Sequence, residues 1–524
     1  MRRIALVLAM LSLVTAPAGA APSHGVFVLR LAADTIAVER FERTDQRVTG
    51  ALAFRLAGAR FDYDLWLAPD GSVTRMKNTF SKATAAPGDE PEQVATIEFR
   101  GDSAIVMLLP VPARLQGFAT RAGAIPYVNP SIVMIEQVVR RAFAIAGRRA
   151  TVPIFAVAGG QTLEIVVTRV GADSVTLDLG PTQFVLGVGA EGAVLGGSIP
   201  SQGVTIERVD SVPDVVLALV KPDYAVPAGA PFSAQEVRIP TRAGFELAGT
   251  LTLPTGSHGP VPCVVTITGS GAEERDEATP FVRGYRPFRQ IADALARRNI
   301  AVLRLDDRGT GASGGGFRGA TSEDFAQDVQ AALRWLSSRR GIDRSRLALL
   351  GHREGGLIAP IVAERDPAVR AMVLMAAPAY NGRRILEYQN SREIAKKFTE
   401  RSSRDSALRV AMVAVDSEIA ADPWLKFFST HDPLVTARRV RTPVLILHGA
   451  TDRQVTAEQA ELLGQAFRTT GNRDVTVRVL PSTNHLFLTD PDGEVAGYRS
   501  LVVREIPPVT LTIITDWLAS RLAR

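Results

Sequence analysis

Apolar and polar residues alternate along the first part of the chain and gather into longer apolar runs along the second. From Val26 to about Val220 the period is two, in short stretches: Thr35 to Phe41, Ala51 to Leu56, Phe61 to Leu67, Val94 to Phe99, Leu163 to Val170, Val175 to Leu179 and Val204 to Val209. Turn signals such as Asp70-Gly71 and Gly101-Asp102 separate them, and this combination predicts antiparallel sheet. One stretch, Ser131 to Ala146, has apolar residues near helical spacing; it follows Pro130 and has Ser131 in place as an N-cap. Lys82 to Gln93, rich in Pro, Gly, Ala and acid, predicts a loop. Gly187 to Gly192 spells G-x-G-x-x-G but lacks a strand-loop-helix setting, so it reads as a turn.

Lys221 to Ala234 carries Pro222, Pro227, Gly229 and Pro231 and is expected to be a linker, 221–234. Beyond it Glu236 to Pro240 and Phe245 to Leu253 predict a hairpin. Val261 to Thr268 is a continuous, β-branched apolar run of the kind buried on both faces of a sheet. Helical pattern then alternates with strand pattern: Pro287 to Arg298, Ile300 to Leu305, Glu323 to Arg339, Leu347 to Leu350, a helix from Gly356, and Ala371 to Ala376. After Asn381 to about Arg441, which is charged and helical, alternation resumes with Pro443 to Leu447, Ala457 to Phe467, Val475 to Leu480 and a last helix at Pro508 to Leu522. Alternating strands and helices imply βαβ crossovers and a doubly wound, mainly parallel sheet. The expected fold is therefore α/β over 235–524, with a helical insertion at about 381–441 that is either a lid or a surface helix pair, preceded by a β-rich accessory domain over 21–220. That accessory domain could bind a ligand, cover a site or attach to a partner; its pattern does not choose.

With 524 residues, 46% hydrophobic and 22% charged, the chain is globular and long enough for two full cores. Met1 to Ala20 has Arg2 and Arg3, an apolar run from Ile4 to Val14, and Ala18-Gly19-Ala20, the layout of a cleaved export signal at 1–20. The run is too short for a stable membrane span, so the mature chain is expected in the periplasm or outside the cell. The net charge of +6 is mild for this length and shows no basic stripe for nucleic acid. Cys263 is the only cysteine, which excludes internal disulfides. No spacing of His, Cys or acid suggests a metal, and nothing calls for a cofactor.

The densest chemistry lies in Leu347 to Gly356, Leu-Ala-Leu-Leu-Gly-His-Arg-Glu-Gly-Gly. An apolar strand that breaks at a glycine and resumes as a helix is the build of a nucleophile elbow. In its G-x-S-x-G form, glycines permit the sharp turn and a serine stands at its apex. Gly351 and Gly355 are in place, but the apex is Arg353. A guanidinium stays protonated and has no lone pair with which to attack a carbonyl. Further on, Asp452 and then His485 each follow a predicted strand, the order acid-then-base in which such elbows find their partners. His352 and His448 read as packing or supporting groups.

Over the last 290 or so residues the chain resembles bacterial α/β-hydrolase esterases whose elbow reads Gly-His-Ser-Glu-Gly-Gly. Ile267-Thr268-Gly269-Ser270-Gly271, Asp306-Asp307-Arg308-Gly309-Thr310-Gly311, Pro443-Val444-Leu445 and Asn484-His485-Leu486-Phe487 are similar too. The resemblance implies that Asp452 and His485 are acid and base, that the backbone N–H groups of Ser270 and Glu354 form the oxyanion hole, and that small carboxylic esters are the substrate class. It also accounts for the G-x-G-x-x-G at Gly309 to Gly314 without a dinucleotide.

Arg353 opens several readings. The esterase activity is lost and the fold persists as a pseudoenzyme. Or the site binds a carboxylate or phosphate, for which a guanidinium beside two backbone donors at a helix N-terminus is suited. Or Arg353 fills the old pocket and pairs with Glu354 or Asp452. Or the arginine is an error or an engineered change, since serine and arginine codons can differ by one base, and resequencing settles that. Finally, His485 with Asp452 could activate water directly, although a nearby cation disfavours protonated His485.

Overall fold

The computed structural model describes residues 23–523 except 33, 56–57, 83–90, 92, 110–113, 181, 214–221, 280, 318 and 470. The expected export signal and nearly all of the loop expected between Lys82 and Gln93 lie outside the described residues. The chain divides into two compact units, Met1–Pro222 and Asp223–Arg524. The stretch expected as linker, 221–234, ends inside a strand, because the run of Pro and Gly stops at Pro231 and the buried Phe232 opens a paired segment.

In the first unit fifteen strands form one sheet, from Arg114–Ala119 at one end, through Ser23–Leu31 paired with Val204–Val209 in the middle, to Ile125–Tyr127 at the other. Neighbouring strands are antiparallel except Arg149–Ala156 with Ile125–Tyr127. Helix α1 (Ile132–Phe143) shares one core with the sheet, and Ser131 caps it as expected, its hydroxyl accepting from Met134 N at 3.1 Å. Burying a helix start leaves N–H groups that need acceptors. Glu39, fully buried on the neighbouring sheet, takes Ile132 N at 2.6 Å and Val133 N at 3.1 Å with the same oxygen, and its other oxygen accepts from Ser131 and Tyr63 hydroxyls. Gly187 to Gly192 is the end of a strand and a 3₁₀ turn.

In the second unit the sheet has eight strands: β1 (Phe232–Pro240), β2 (Glu246–Pro254), β3 (Val261–Ile267), β4 (Ala301–Leu305), β5 (Ile342–His352), β6 (Val369–Met375), β7 (Val444–Gly449) and β8 (Val475–Leu480). Their order is β1-β2-β4-β3-β5-β6-β7-β8. β1 and β2 form the expected hairpin, β2 runs antiparallel to β4, and every later pair is parallel. Both faces are apolar and both are covered. Helices α2 (Pro287–Ala296) and α10 (Pro508–Arg521) contribute to one core cluster; α3 (Ser322–Ser337), α4 (Gly355–Arg365) and α9 (Glu458–Thr469) contribute to the other. Between β6 and β7 the insertion is four helices, α5 (Gly382–Lys397), α6 (Arg401–Ala421), α7 (Pro423–Thr430) and α8 (Pro433–Ala437). Among the described residues no helix is long and apolar enough to cross a membrane.

Candidate active site

The carboxyl ends of β3, β5, β7 and β8 place the expected residues together, as a parallel sheet with one switch in strand order requires. β3 pairs with β5 so that Ile267 lies opposite Gly351, which brings Gly269-Ser270 beside the turn. At that turn the chain has no room for side chains. A Cβ on Gly351 would lie 2.1 Å from the carbonyl oxygen of Gly355, and one on Gly355 would lie 2.1 Å from that of Ile267. Arg353 at the apex has φ 54°, a left-handed conformation that L-residues avoid. Its N–H donates to Met375 O at 2.9 Å, and Gly356 N–H donates to its carbonyl at 3.0 Å, opening α4. The strand, the tight turn and the helix start expected of an elbow are therefore present, with Arg353 at the apex.

The guanidinium of Arg353 lies 3.4 Å from Glu273 Oε1. This corrects the expectation that Glu354 or Asp452 would be its partner. Those carboxyls already have closer donors. Glu354 is 3% exposed; its Oε1 accepts from Ser322 Oγ at 2.6 Å and Trp424 Nε1 of α7 at 2.8 Å, and the Ser270 hydroxyl bonds the same carboxyl. Burial raises its pKa, and these donors oppose the rise. Asp452 Oδ1 accepts Gln454 N and Val455 N at 2.8 and 2.9 Å, while Oδ2 is 2.6 Å from His485 Nδ1.

That short contact orients the imidazole. His485 Nδ1–H donates to Asp452, which leaves Nε2 as the free basic nitrogen. Burial would raise the Asp452 pKa, but His485 and His448 outweigh it and keep the group well below the ordinary carboxylate range. His485 is pushed down to about 4, by burial first, with Asp452 opposing and Arg353 and His352 adding to the fall. It is thus neutral at neutral pH, and a proton on it is disfavoured by the cation at position 353. His448 Nε2 stands 2.8 Å from Val455 O and 3.3 Å from Asp452 Oδ2, a supporting place as expected.

Three acidic residues at the site gave no individual signal in the sequence. Glu273 and Glu277, which follow the Gly269-Ser270-Gly271 turn, both reach back to Gly269 N at 2.9 Å. Asp307 accepts from Thr268 Oγ1 at 2.7 Å and Glu273 N at 3.0 Å. Burial pushes Glu273 and Glu277 up to about 8, and mutual repulsion adds to the rise at Glu273; Arg353 works against both. Their signal, visible afterwards, is the density of acids in Glu273-Glu274-Arg275-Asp276-Glu277 directly after an apolar strand. Ser313 is not a substitute nucleophile: its hydroxyl donates to Asp306 O and accepts from Ala248 N.

The model of the serine aminopeptidase S33 family matches residues 283–492, which include Arg353, Asp452 and His485. Esterase EstD of Thermotoga maritima is 28% identical over 274 residues, 51% of this chain and 63% of its own length. The uncharacterized peptidase YuxL of Bacillus subtilis is 24% identical over 258 residues, 48% of this chain and 35% of its own length. The match thus spans less than two thirds of these curated relatives. Among solved structures, the esterase Pf2001 of Pyrococcus furiosus is 19% identical with a TM-score of 0.40, covering 57% of this chain and 97% of that one. Est1E from Butyrivibrio proteoclasticus is 16% identical with a TM-score of 0.36, covering 55% and 100%. By its sheet order and family match, the C-terminal unit has the α/β-hydrolase fold and resembles the esterases of that fold.

Proposed function

We propose that the C-terminal unit is a carboxylic ester hydrolase by ancestry that has been disarmed at its nucleophile. The observation that carries this is Arg353 at the apex of an intact elbow, with φ 54° and both flanking glycines required, in the same unit as a bonded Asp452–His485 pair. Acid, base and elbow are retained; the attacking oxygen is not. Taking the nucleophile from a triad lowers kcat by about 10⁶ and leaves roughly 10³ to 10⁴ over water from the remaining groups. Esters should therefore be turned over extremely slowly by the chain as it stands.

The anion-binding reading is less well supported. A carboxylate or phosphate reaching Arg353 would have to displace Glu273 and would enter beside the buried carboxyl of Glu277 and the half-buried one of Asp307. Direct activation of water by His485 is also weakened, because burial and Arg353 both lower its basicity. Export through the segment 1–20 is part of the proposal, and the mass of the mature chain tests it by placing the N-terminus at Ala21. The enzymological test is labelling with a fluorophosphonate. The protein with Arg353 should stay unlabelled and Arg353→Ser should label at position 353; a label on the Arg353 protein would show that another residue is the nucleophile.

A further inference from the structure

His352, one residue before the elbow apex, is gripped at both ring nitrogens. Its Nε2 lies 3.0 Å from the backbone carbonyl oxygen of His485, and its Nδ1 lies 2.9 Å from Glu277 Oε1. His352, Glu277 and His485 are 4%, 6% and 1% exposed, so water does not compete. A carbonyl can only accept, hence Nε2 carries a proton. A neutral imidazole then offers Nδ1 as an acceptor, and the group facing it must donate. With a neutral ring Glu277 is a carboxylic acid; a protonated ring at the same distances would make it a carboxylate, and burial and the Arg353 cation decide for the first.

A further observation agrees. Burial pushes Glu277 up to about 8, while burial and then Arg353 push His352 down to about 4, so at neutral pH neither partner is charged.

Glu277 Oε1 also accepts the N–H of Gly269, next to Ser270. One carboxyl thereby holds the loop that carries Ser270 and, through His352, the backbone of the loop that carries His485. The hydroxyl of Tyr285, on the segment leading into α2, donates to Leu486 O and holds the second loop from its other side. We infer that Glu277 and His352 are positioning residues, a neutral hydrogen-bond relay that sets the His485 loop and the Ser270 loop against the elbow. The geometry is independent of the ester-hydrolase reading; its kinetic consequence rests on that reading.

The test has a kinetic arm and a spectroscopic arm. In an Arg353→Ser chain, Glu277→Gln can keep a donor for Nδ1 with its amide NH2, while Gly269 N–H keeps its second acceptor, Glu273 Oε2 at 2.9 Å, whereas Glu277→Leu keeps only bulk. With p-nitrophenyl acetate, adding Glu277→Gln should leave kcat within about threefold, and adding Glu277→Leu should lower kcat at least about tenfold with KM little changed, as displacement of a catalytic group does. In the otherwise natural chain, the downfield proton resonance of the His485–Asp452 bond should persist in Glu277→Gln and shift or broaden in Glu277→Leu. If Glu277→Leu does not fold, His352→Gln, which keeps a donor toward His485 O, and His352→Ala take the two roles with the same expectations. Should Arg353→Ser turn over no ester, the hydrolase reading fails and the resonance decides the relay. An unchanged resonance and an unchanged kcat in the Leu or Ala variant would overturn the relay, as would equal damage from the conservative and the disruptive variant.

Discussion

Replacing Trp424 by phenylalanine tests how the insertion is fastened to the site. Trp424 stacks on Phe428, with ring centroids 5.5 Å apart and planes 6° from parallel, and phenylalanine can keep that stack. What is lost is one N–H, donated at 2.8 Å to Glu354 Oε1. A hydrogen bond to a charged group contributes about 1.5 to 3 kcal/mol, and more when the acceptor left behind is buried. Glu354 is 3% exposed, but Ser322 still serves the same oxygen at 2.6 Å and Ser270 the same carboxyl. The loss should therefore fall near the lower end, about 2 kcal/mol. Because a neutral carboxyl is a weaker acceptor, the penalty should shrink as Glu354 is titrated toward acid pH. With two units in the chain a single unfolding midpoint is not well defined, so hydrogen exchange is the better assay. Amides of α7 (Pro423–Thr430) should exchange about 30-fold faster in Trp424→Phe, the equivalent of 2 kcal/mol, while those of α10 should not change. Acceleration below about twofold in α7, or equal acceleration in both helices, would refute the argument that this bond fastens the insertion.

Other expectations can be checked alongside. Glu277 keeps its proton up to about pH 8 in the folded protein but only to about 4.5, its ordinary value, when unfolded; Glu273 behaves likewise. The folded state thus binds more protons between those limits, and stability falls as pH rises through that window. His352 and His485, lowered to about 4 from 6.5, oppose this only below pH 6.5. From pH 6.5 to 8 the free energy of unfolding of the C-terminal unit in urea should therefore decline, by roughly 1.4 kcal/mol per pH unit for each extra proton held, and Glu277→Gln should flatten the decline; a rise would contradict it. Glu39→Ala strips two first-turn N–H groups of α1 and two hydroxyls of their acceptor, and should cost the N-terminal unit about 3 kcal/mol or more in urea unfolding, whereas a loss below 1 kcal/mol would be unexpected. Gly351→Ala places a methyl 2.1 Å from Gly355 O and should leave little folded C-terminal unit by circular dichroism, since backbone cannot yield as a side chain can; a stable variant would mean the elbow is more open than described.

The C-terminal unit was legible because its physics is local. Buried parallel strands such as Val261–Ile267 carry continuous apolar runs, some helices carry caps, as Thr321 does for α3, and Asp452 and His485 each follow a strand. The N-terminal unit was only half legible. Val73–Lys82 spells Val-Thr-Arg-Met-Lys-Asn-Thr-Phe-Ser-Lys, with Val73, Met76 and Asn78 buried, so its inward face breaks the alternation of apolar residues. Strand register in so wide a sheet depends on partners far along the chain, as in Val26 opposite Val209. At the site, order and spacing single out Asp452 and His485, whose side chains lie 2.6 Å apart. They do not single out the partner of Arg353, because Glu273 reaches it through the fold from 80 residues away. Glu277 was missed for a similar reason: an acid in an acid-rich loop carries no mark of burial until the His352 ring is set against it.

The central claim is that everything but the nucleophile is in place. Initial rates on p-nitrophenyl acetate and butyrate, measured for the natural protein and for Arg353→Ser under identical conditions, test it most directly. The account predicts barely detectable turnover by the natural protein and a rise of about 10³ or more on restoring the hydroxyl, a rise that His485→Ala then abolishes. Equal rates from the two proteins would contradict it, because the Asp452–His485 pair would then have gained nothing from the serine it is placed to serve.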